Sequence, residues 1–124
     1  MSLLLDSNAL VWWLAEMRLT QELLQRIEYE RPVYISLVTP WELWVKAAAG
    51  RLTLPPSFED GLTREDSLTI LSPTIEDARV AANLPPIHPD PFDRMIIAQA
   101  KNANLTVVTG DQHFRDYGVD VILV

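Results

Sequence analysis

LLLDSNALVWWL, residues 3–14, decides the architecture of this chain. Three consecutive leucines, Leu3–Leu5, make a continuous apolar run of the kind a strand shows when both its faces are buried. Asp6 ends the run, and a helix-like stretch follows over 9–15. Working outward, the alternation repeats. Residues 20–30 read as an amphipathic helix with Leu23, Leu24 and Ile27 inward. Val33–Ser36 is a second strand behind Pro32. Thr39 caps a helix with Pro40 in its first turn, and Gly50 stops it. Residues 52–56 are loop, 57–66 a short helix and Leu68–Leu71 a third strand. Thr74 caps the helix Ile75–Asn83, a proline-rich loop spans 84–89, and Asp90 caps the long helix Pro91–Ala103. Residues 105–109 and 119–124 are the fourth and fifth strands, with a helical turn near Gln112–Tyr117. Alternating strands and helices imply a parallel sheet covered on both faces. The expectation is one α/β domain over 1–124: three α/β/α layers around a parallel five-stranded sheet.

Composition narrows the function. Apolar residues make up 48% of the 124, enough for a core that needs no disulfide or metal merely to fold. Cysteine is absent, which removes disulfides, thiolate zinc sites and cysteine nucleophiles and suits a reducing cytoplasm. No apolar run is long enough for a membrane span or a secretory core, so no membrane role is expected. Ten basic residues against 17 acidic give a net charge of −7. A broad basic face for gripping nucleic acid is therefore not expected. If nucleic acid is the substrate, something besides lysine and arginine must meet its phosphate charge.

In open α/β sheets, ligands bind outside the carboxyl ends of the strands. Asp6 closes the first strand there. Glu42 lies in the first turn of the helix leaving the second strand. The helix Pro91–Ala103 runs toward the start of the fourth strand, so its amino end, with Asp90 and Asp93, returns to the same edge. Asp111 follows the fourth strand. Chain direction alone thus brings Asp6, Glu42, Asp93 and Asp111 to one rim, with Asp90 nearby.

Each acid also has a purely structural reading. Asp6 and Asp90 can cap helices, Asp93 can face a helix dipole, and Asp111 can belong to a turn at Thr109-Gly110-Asp111. Glu42 can complete a capping box with Thr39 or pair with Lys46. Jointly, however, the acids are costly: two carboxylates ~5 Å apart repel by roughly 3 kcal/mol at an effective dielectric of 20. A cation relieves that cost. Oxygen ligands favour Mg²⁺ or Mn²⁺, and such an ion suits hydrolysis of a phosphodiester by an otherwise acidic protein.

At these residues the chain resembles the PIN-domain family, specifically its VapC-type toxin ribonucleases. The matching segments are LLLDSNALVWWL at 3–14, ISLVTPWELWVKAAAGRLTL at 35–54, LPPIHPDPFDRMIIAQA at 84–100 and VVTGDQHFRDYGVDVI at 107–122. They span nearly the whole chain in order, and the Asp-Pro-Phe-Asp-Arg run opening a helix is the most specific. The resemblance implies a PIN fold, with Asp6, Glu42 and Asp93 as an acidic triad and Asp111 as the fourth acid. It implies Mg²⁺-dependent cleavage of RNA, with Mn²⁺ able to substitute. It also implies a cognate antitoxin whose tail covers the site, and a homodimer. In the mechanism expected, Asp6 and Asp93 hold the metal most directly, Asp111 assists, and Glu42 orients or deprotonates water. The chain departs from its relatives in having Ser7-Asn8 where Thr-His is usual.

His88 and His113 lack metal-ligand spacing, and His88 reads as a loop-orienting or rim group. Arg94 reads as a phosphate or carboxylate contact. Of Trp12, Trp13, Trp41 and Trp44, most are expected in the core, with Trp12 or Trp13 partly exposed as an antitoxin or dimer contact. Two other classes stay open: a catalytically silent PIN-fold binding module, and a phosphoacceptor receiver domain. The receiver class expects paired acids after the first strand and an acceptor aspartate after the third. Here Asp6 stands alone after the first, and Ser72-Pro73 follows the third.

Overall fold

Leu3, Leu4 and Leu5 are all fully buried, as a strand covered on both faces requires. They form β1 (Leu3–Leu5) at the centre of the computed structural model, which describes residues 2–63 and 68–124. The chain continues through α1 (Ser7–Leu14), α2 (Gln21–Tyr29), β2 (Val33–Ser36), α3 (Val38–Ala48) and α4 (Phe58–Thr63). Then come β3 (Leu68–Leu71), α5 (Ile75–Asn83), α6 (Pro91–Ala103), β4 (Thr106–Thr109), a 3₁₀ turn (Gln112–Tyr117) and β5 (Val121–Leu123). The sheet order is β3-β2-β1-β4-β5, and every pairing is parallel. All five carboxyl ends therefore share one edge.

Alternating side chains of the strands feed two separate cores. Leu3, Leu5, Ile35 and Val108 pack with Leu10 of α1, Ile27 of α2, Leu43 of α3 and Phe58 of α4. Leu4 and Val107 pack on the opposite face with Ile96, Ile97 and Ala100 of α6 and with Phe114. The result is the expected three-layer α/β/α fold. The strand order bears on the receiver reading: in that class the third strand lies beside the first, whereas here β3 is an edge strand.

Local signals mostly act as read. Thr20 caps α2, and Thr74 caps α5 in a full capping box with Asp77. Asp90 caps α6 ahead of Pro91. α3 differs. It starts at Val38, and Leu37 at its cap position makes no side-chain cap bond. Thr39 is buried inside the first turn, so the Thr39–Glu42 capping box does not form. The short helix expected over 57–66 is seen over Phe58–Thr63, and 64–66 lie outside the described residues.

Candidate active site

Asp6, directly after β1, divides its two oxygens. Oδ1 accepts from the Ala9 amide at 2.9 Å and caps α1. Oδ2 accepts from the Thr109 hydroxyl at 2.5 Å. The same Thr109 oxygen accepts the Asp111 amide at 3.0 Å. One fully buried hydroxyl at the end of β4 thus ties two acids of the rim together. Ser7 joins a third: its Oγ donates to Glu42 Oε1 at 2.5 Å. Glu42 Oε2 takes Lys46 Nζ at 2.6 Å. The expected pairing with Lys46 therefore forms, but on a Glu42 side chain only 3% exposed rather than on a surface.

The other half of the rim is held by His88. Its Nε2 lies 3.0 Å from Asp93 Oδ2 and 3.0 Å from Asp111 Oδ2. Its Nδ1 accepts the Asp90 amide at 3.2 Å. An Nδ1 that accepts leaves the ring hydrogen on Nε2, facing the two carboxylates. His88 is thus arranged to hold Asp93 and Asp111, and it would have to surrender that hydrogen to ligate a metal through Nε2. The loop beneath is fixed by Tyr117, whose hydroxyl accepts the His88 amide at 2.6 Å. The series Glu42, Ser7, Asp6, Thr109, Asp111, His88, Asp93 is continuous through hydrogen bonds and one peptide link. All four acids expected at the rim are in it, and Asp90 abuts it.

Their charges act on one another. Asp93 is pushed up to about 8, first by burial, then by Asp90, Glu42, Asp6 and Asp111. Asp6 is pushed up to about 6, mainly by burial, with Glu42 and Asp111 adding to it and the Thr109 and Ala9 hydrogen bonds opposing. The donors clustered here are hard carboxylate oxygens, in surroundings that resist negative charge. His88 Nε2 and one oxygen each of Asp93 and Asp111 lie within 4.8 Å of one another, a grouping that could hold a metal ion, and the hard oxygens of the rim fit Mg²⁺ or Mn²⁺.

Two readings change. Arg94 meets no carboxylate among the described residues: its guanidinium donates to the carbonyls of Leu84, Pro85 and His88 and ties the proline-rich loop to α6. Trp41 and Trp44 are 58% and 43% exposed, and Trp12 and Trp13 are half-buried, with Trp13 packing against a core. Thr109 and His88 are the site residues that sequence reasoning undervalued. Thr109 was legible only as part of a turn, and His88 lacked helical spacing to either acid it touches. His113 is exposed and donates its amide to Asp111 Oδ1 at 2.9 Å.

A family model described as PIN domain matches residues 3–120. The chain belongs to the PIN domain family. No curated protein matches it. Among solved structures, this PIN domain is similar to VapBC2 from Rickettsia felis bound to a DNA fragment from their promoter. That match has TM-score 0.73 and 17% identity, and covers 99% of this chain and 98% of that one. It is also similar to FitAcB from Neisseria gonorrhoeae, with TM-score 0.67, 24% identity and coverage of 97% and 96%. A third is a toxin–antitoxin complex from Klebsiella pneumoniae, with TM-score 0.69, 19% identity and coverage of 98% and 96%. At these identities the likeness is one of fold.

Proposed function

We infer that this PIN domain is the toxin of a toxin–antitoxin pair and a metal-dependent endoribonuclease. The observation that carries the reading is the meeting of acids from four segments on one rim: Asp93 and Asp111 each lie 3.0 Å from His88 Nε2, and Asp6 and Glu42, with neighbouring Asp90, add to the charge that pushes Asp93 up. A divalent cation at this ligand-binding edge would relieve that repulsion. Asp6 and Asp93 would hold Mg²⁺ or Mn²⁺, with Asp111 assisting. A bound divalent cation supplies positive charge against the charge developing on the phosphate. Ser7 and Lys46 orient the Glu42 carboxylate, which takes the proton of the attacking water as its oxygen bonds to phosphorus; the opposite P–O ester bond breaks, and the leaving ribose oxygen takes a proton from solvent. Thr109 and His88 keep Asp6, Asp111 and Asp93 in register without touching the substrate.

The partner follows from charge and from the neighbours. Those are toxin–antitoxin complexes, some with DNA. With a net charge of −7, this chain leaves the DNA contact to its antitoxin. A homodimer and a cytoplasmic setting complete the reading. The test is cleavage mapping on total cellular RNA with Mg²⁺, with Asp93→Asn as control. Mg²⁺-dependent fragments from the native protein, lost in the variant, are expected. Intact RNA with a folded, metal-loaded protein would leave only a silent binding module.

A further inference from the structure

Two cavities lead away from the acid rim over the end of the sheet. The first, of about 580 Å³, is lined by Asn8, Trp12, Arg18, Asp111, Gln112 and His113 among others. The second, of about 390 Å³, shares Arg18, Leu123 and Val124 with it and extends to Thr20 and Arg26. Together they make one trough from the Asp111 carboxylate to α2.

Its middle is built with care. The Arg18 guanidinium lies 4.3 Å from the centre of the Trp12 ring. Gly110 backs onto the same ring: a Cβ there would fall 2.9 Å from the indole. Arg18 reaches Trp12 from a turn with no glycine, in which Glu16 and Arg18 sit at φ 55° and 65°. Side chains rarely adopt that left-handed conformation, and such departures gather where function holds a side chain in place. The turn is closed by the Met17 amide donating to the Trp12 carbonyl at 2.9 Å.

The arginines here are also uncommitted. Among the described residues, Lys46 and Arg79 pair with carboxylates, while Arg94 and Lys101 donate to backbone carbonyls. Arg18 and Arg26 pair with no carboxylate there, although Glu22 lines the same trough one turn before Arg26. In an acidic protein, two unpaired arginines beside an aromatic ring and polar side chains form a local path for a phosphate backbone.

We propose that this trough seats the single-stranded RNA flanking the cleaved bond. Arg18 and Arg26 contact successive phosphates, and Trp12 is the positioning residue that holds Arg18. Asn8, Gln112 and His113 offer hydrogen bonds to the nucleotide nearest the rim. The proposal rests on the ribonuclease reading, but its test does not need turnover. A fluorescent single-stranded RNA decamer is titrated with the protein in EDTA across a salt series, and KM and kcat for cleavage are measured separately in Mg²⁺. Arg18→Gln and Arg26→Gln should each weaken binding about tenfold. Each should also flatten the log–log salt slope by about 0.7, the value of one single-strand phosphate contact. Arg18→Lys should keep the slope, and Trp12→Ala should behave as Arg18→Gln does. The loss should fall on KM more than on kcat. Unaltered RNA affinity and slope in both arginine variants would overturn the trough, even with cleavage intact. Loss of antitoxin binding with RNA binding unaltered would overturn it in favour of a protein partner. Absence of cleavage by the native protein, with binding that still depends on Arg18, would sink the ribonuclease reading and leave the trough standing.

Discussion

Replacing Asp93 by Asn should make the metal-free protein more stable, which is opposite to what a helix-start acid predicts. In the native state Asp93 is pushed from 3.8 up to about 8, so at pH 7 it is largely protonated when folded and ionised when unfolded. The unfolded chain is then favoured at every pH above 3.8. The destabilisation is absent below pH 3.8, grows by about 1.4 kcal/mol per pH unit, and levels off above pH 8. At pH 7 it reaches about 4 kcal/mol. The side chain is only 19% exposed, so solvent relieves little of this. Asn has nearly the same shape and can still meet His88, but it has no charge to suppress. In EDTA at pH 7 the variant should melt roughly 10–25 °C above the native protein. The gain should shrink steadily toward pH 4. Metal narrows the gap. At a hundred times Kd, Mn²⁺ adds about 2.7 kcal/mol to a site it fills, and Asp93→Asn should receive much less. Circular-dichroism melts of both proteins, with and without Mn²⁺ at several pH values, measure all of this. A variant that melts below the native protein in EDTA at pH 7, or equal metal responses, would refute the reasoning.

Three further outcomes follow. Thr109→Val removes the hydroxyl that donates to Asp6 and accepts from Asp111; the acid limb of the pH–rate profile should move to higher pH, with about 1–3 kcal/mol of lost stability in a denaturant titration. Glu42→Gln keeps the shape but not the charge that meets Lys46; cleavage should fall by about 10² or more, while the melt shows a folded protein. The antitoxin tail should set an arginine against Asp6 and Asp93, because a planar fork meets carboxylates bidentately; replacing that arginine with alanine should weaken inhibition in a cleavage assay, and a complex with the tail far from the rim would refute it.

The sequence carried the fold unusually far, because its strands are short apolar runs bounded by strong punctuation. Leu3–Leu5 ends at an acid, Thr74 and Asp90 cap their helices, and Asn104 closes α6 in the left-handed conformation. Chain direction then delivered the acids, since a parallel sheet puts every strand's carboxyl end on one edge. What it could not deliver were contacts set by side-chain length and by packing between layers. Thr39-Pro40-Trp41-Glu42 has the spacing of a capping box, but α3 begins two residues earlier, which turns Thr39 inward and sends Glu42 to Ser7, 35 residues away. Arg94 beside Asp93 reads locally as an anion contact, yet the loop at 84–88 leaves carbonyls that no strand or helix satisfies, and Arg94 meets them.

Nor are the structural and catalytic readings of these acids rivals, because a carboxylate has two oxygens. Asp6 spends Oδ1 on the Ala9 amide and turns Oδ2 to the rim. Asp111 spends Oδ1 on the His113 amide and turns Oδ2 to His88. Asp90 spends Oδ1 on the Phe92 amide at the start of α6. A helix start thus fixes one oxygen of Asp6, Asp90 and Asp111, leaving the other free to face across the carboxyl edge of the sheet. This is why the rim can be assembled from separate turns of chain, and why alanine is a poor probe of it. Alanine at Asp6 removes a cap worth about 1 kcal/mol together with the charge. Asparagine keeps an oxygen for the Ala9 amide, and so the cap, while removing the charge and the oxygen that accepts from Thr109. Activity lost equally in Asp6→Asn and Asp6→Ala would belong to the charge and that oxygen, and activity lost only in Asp6→Ala would belong to the cap.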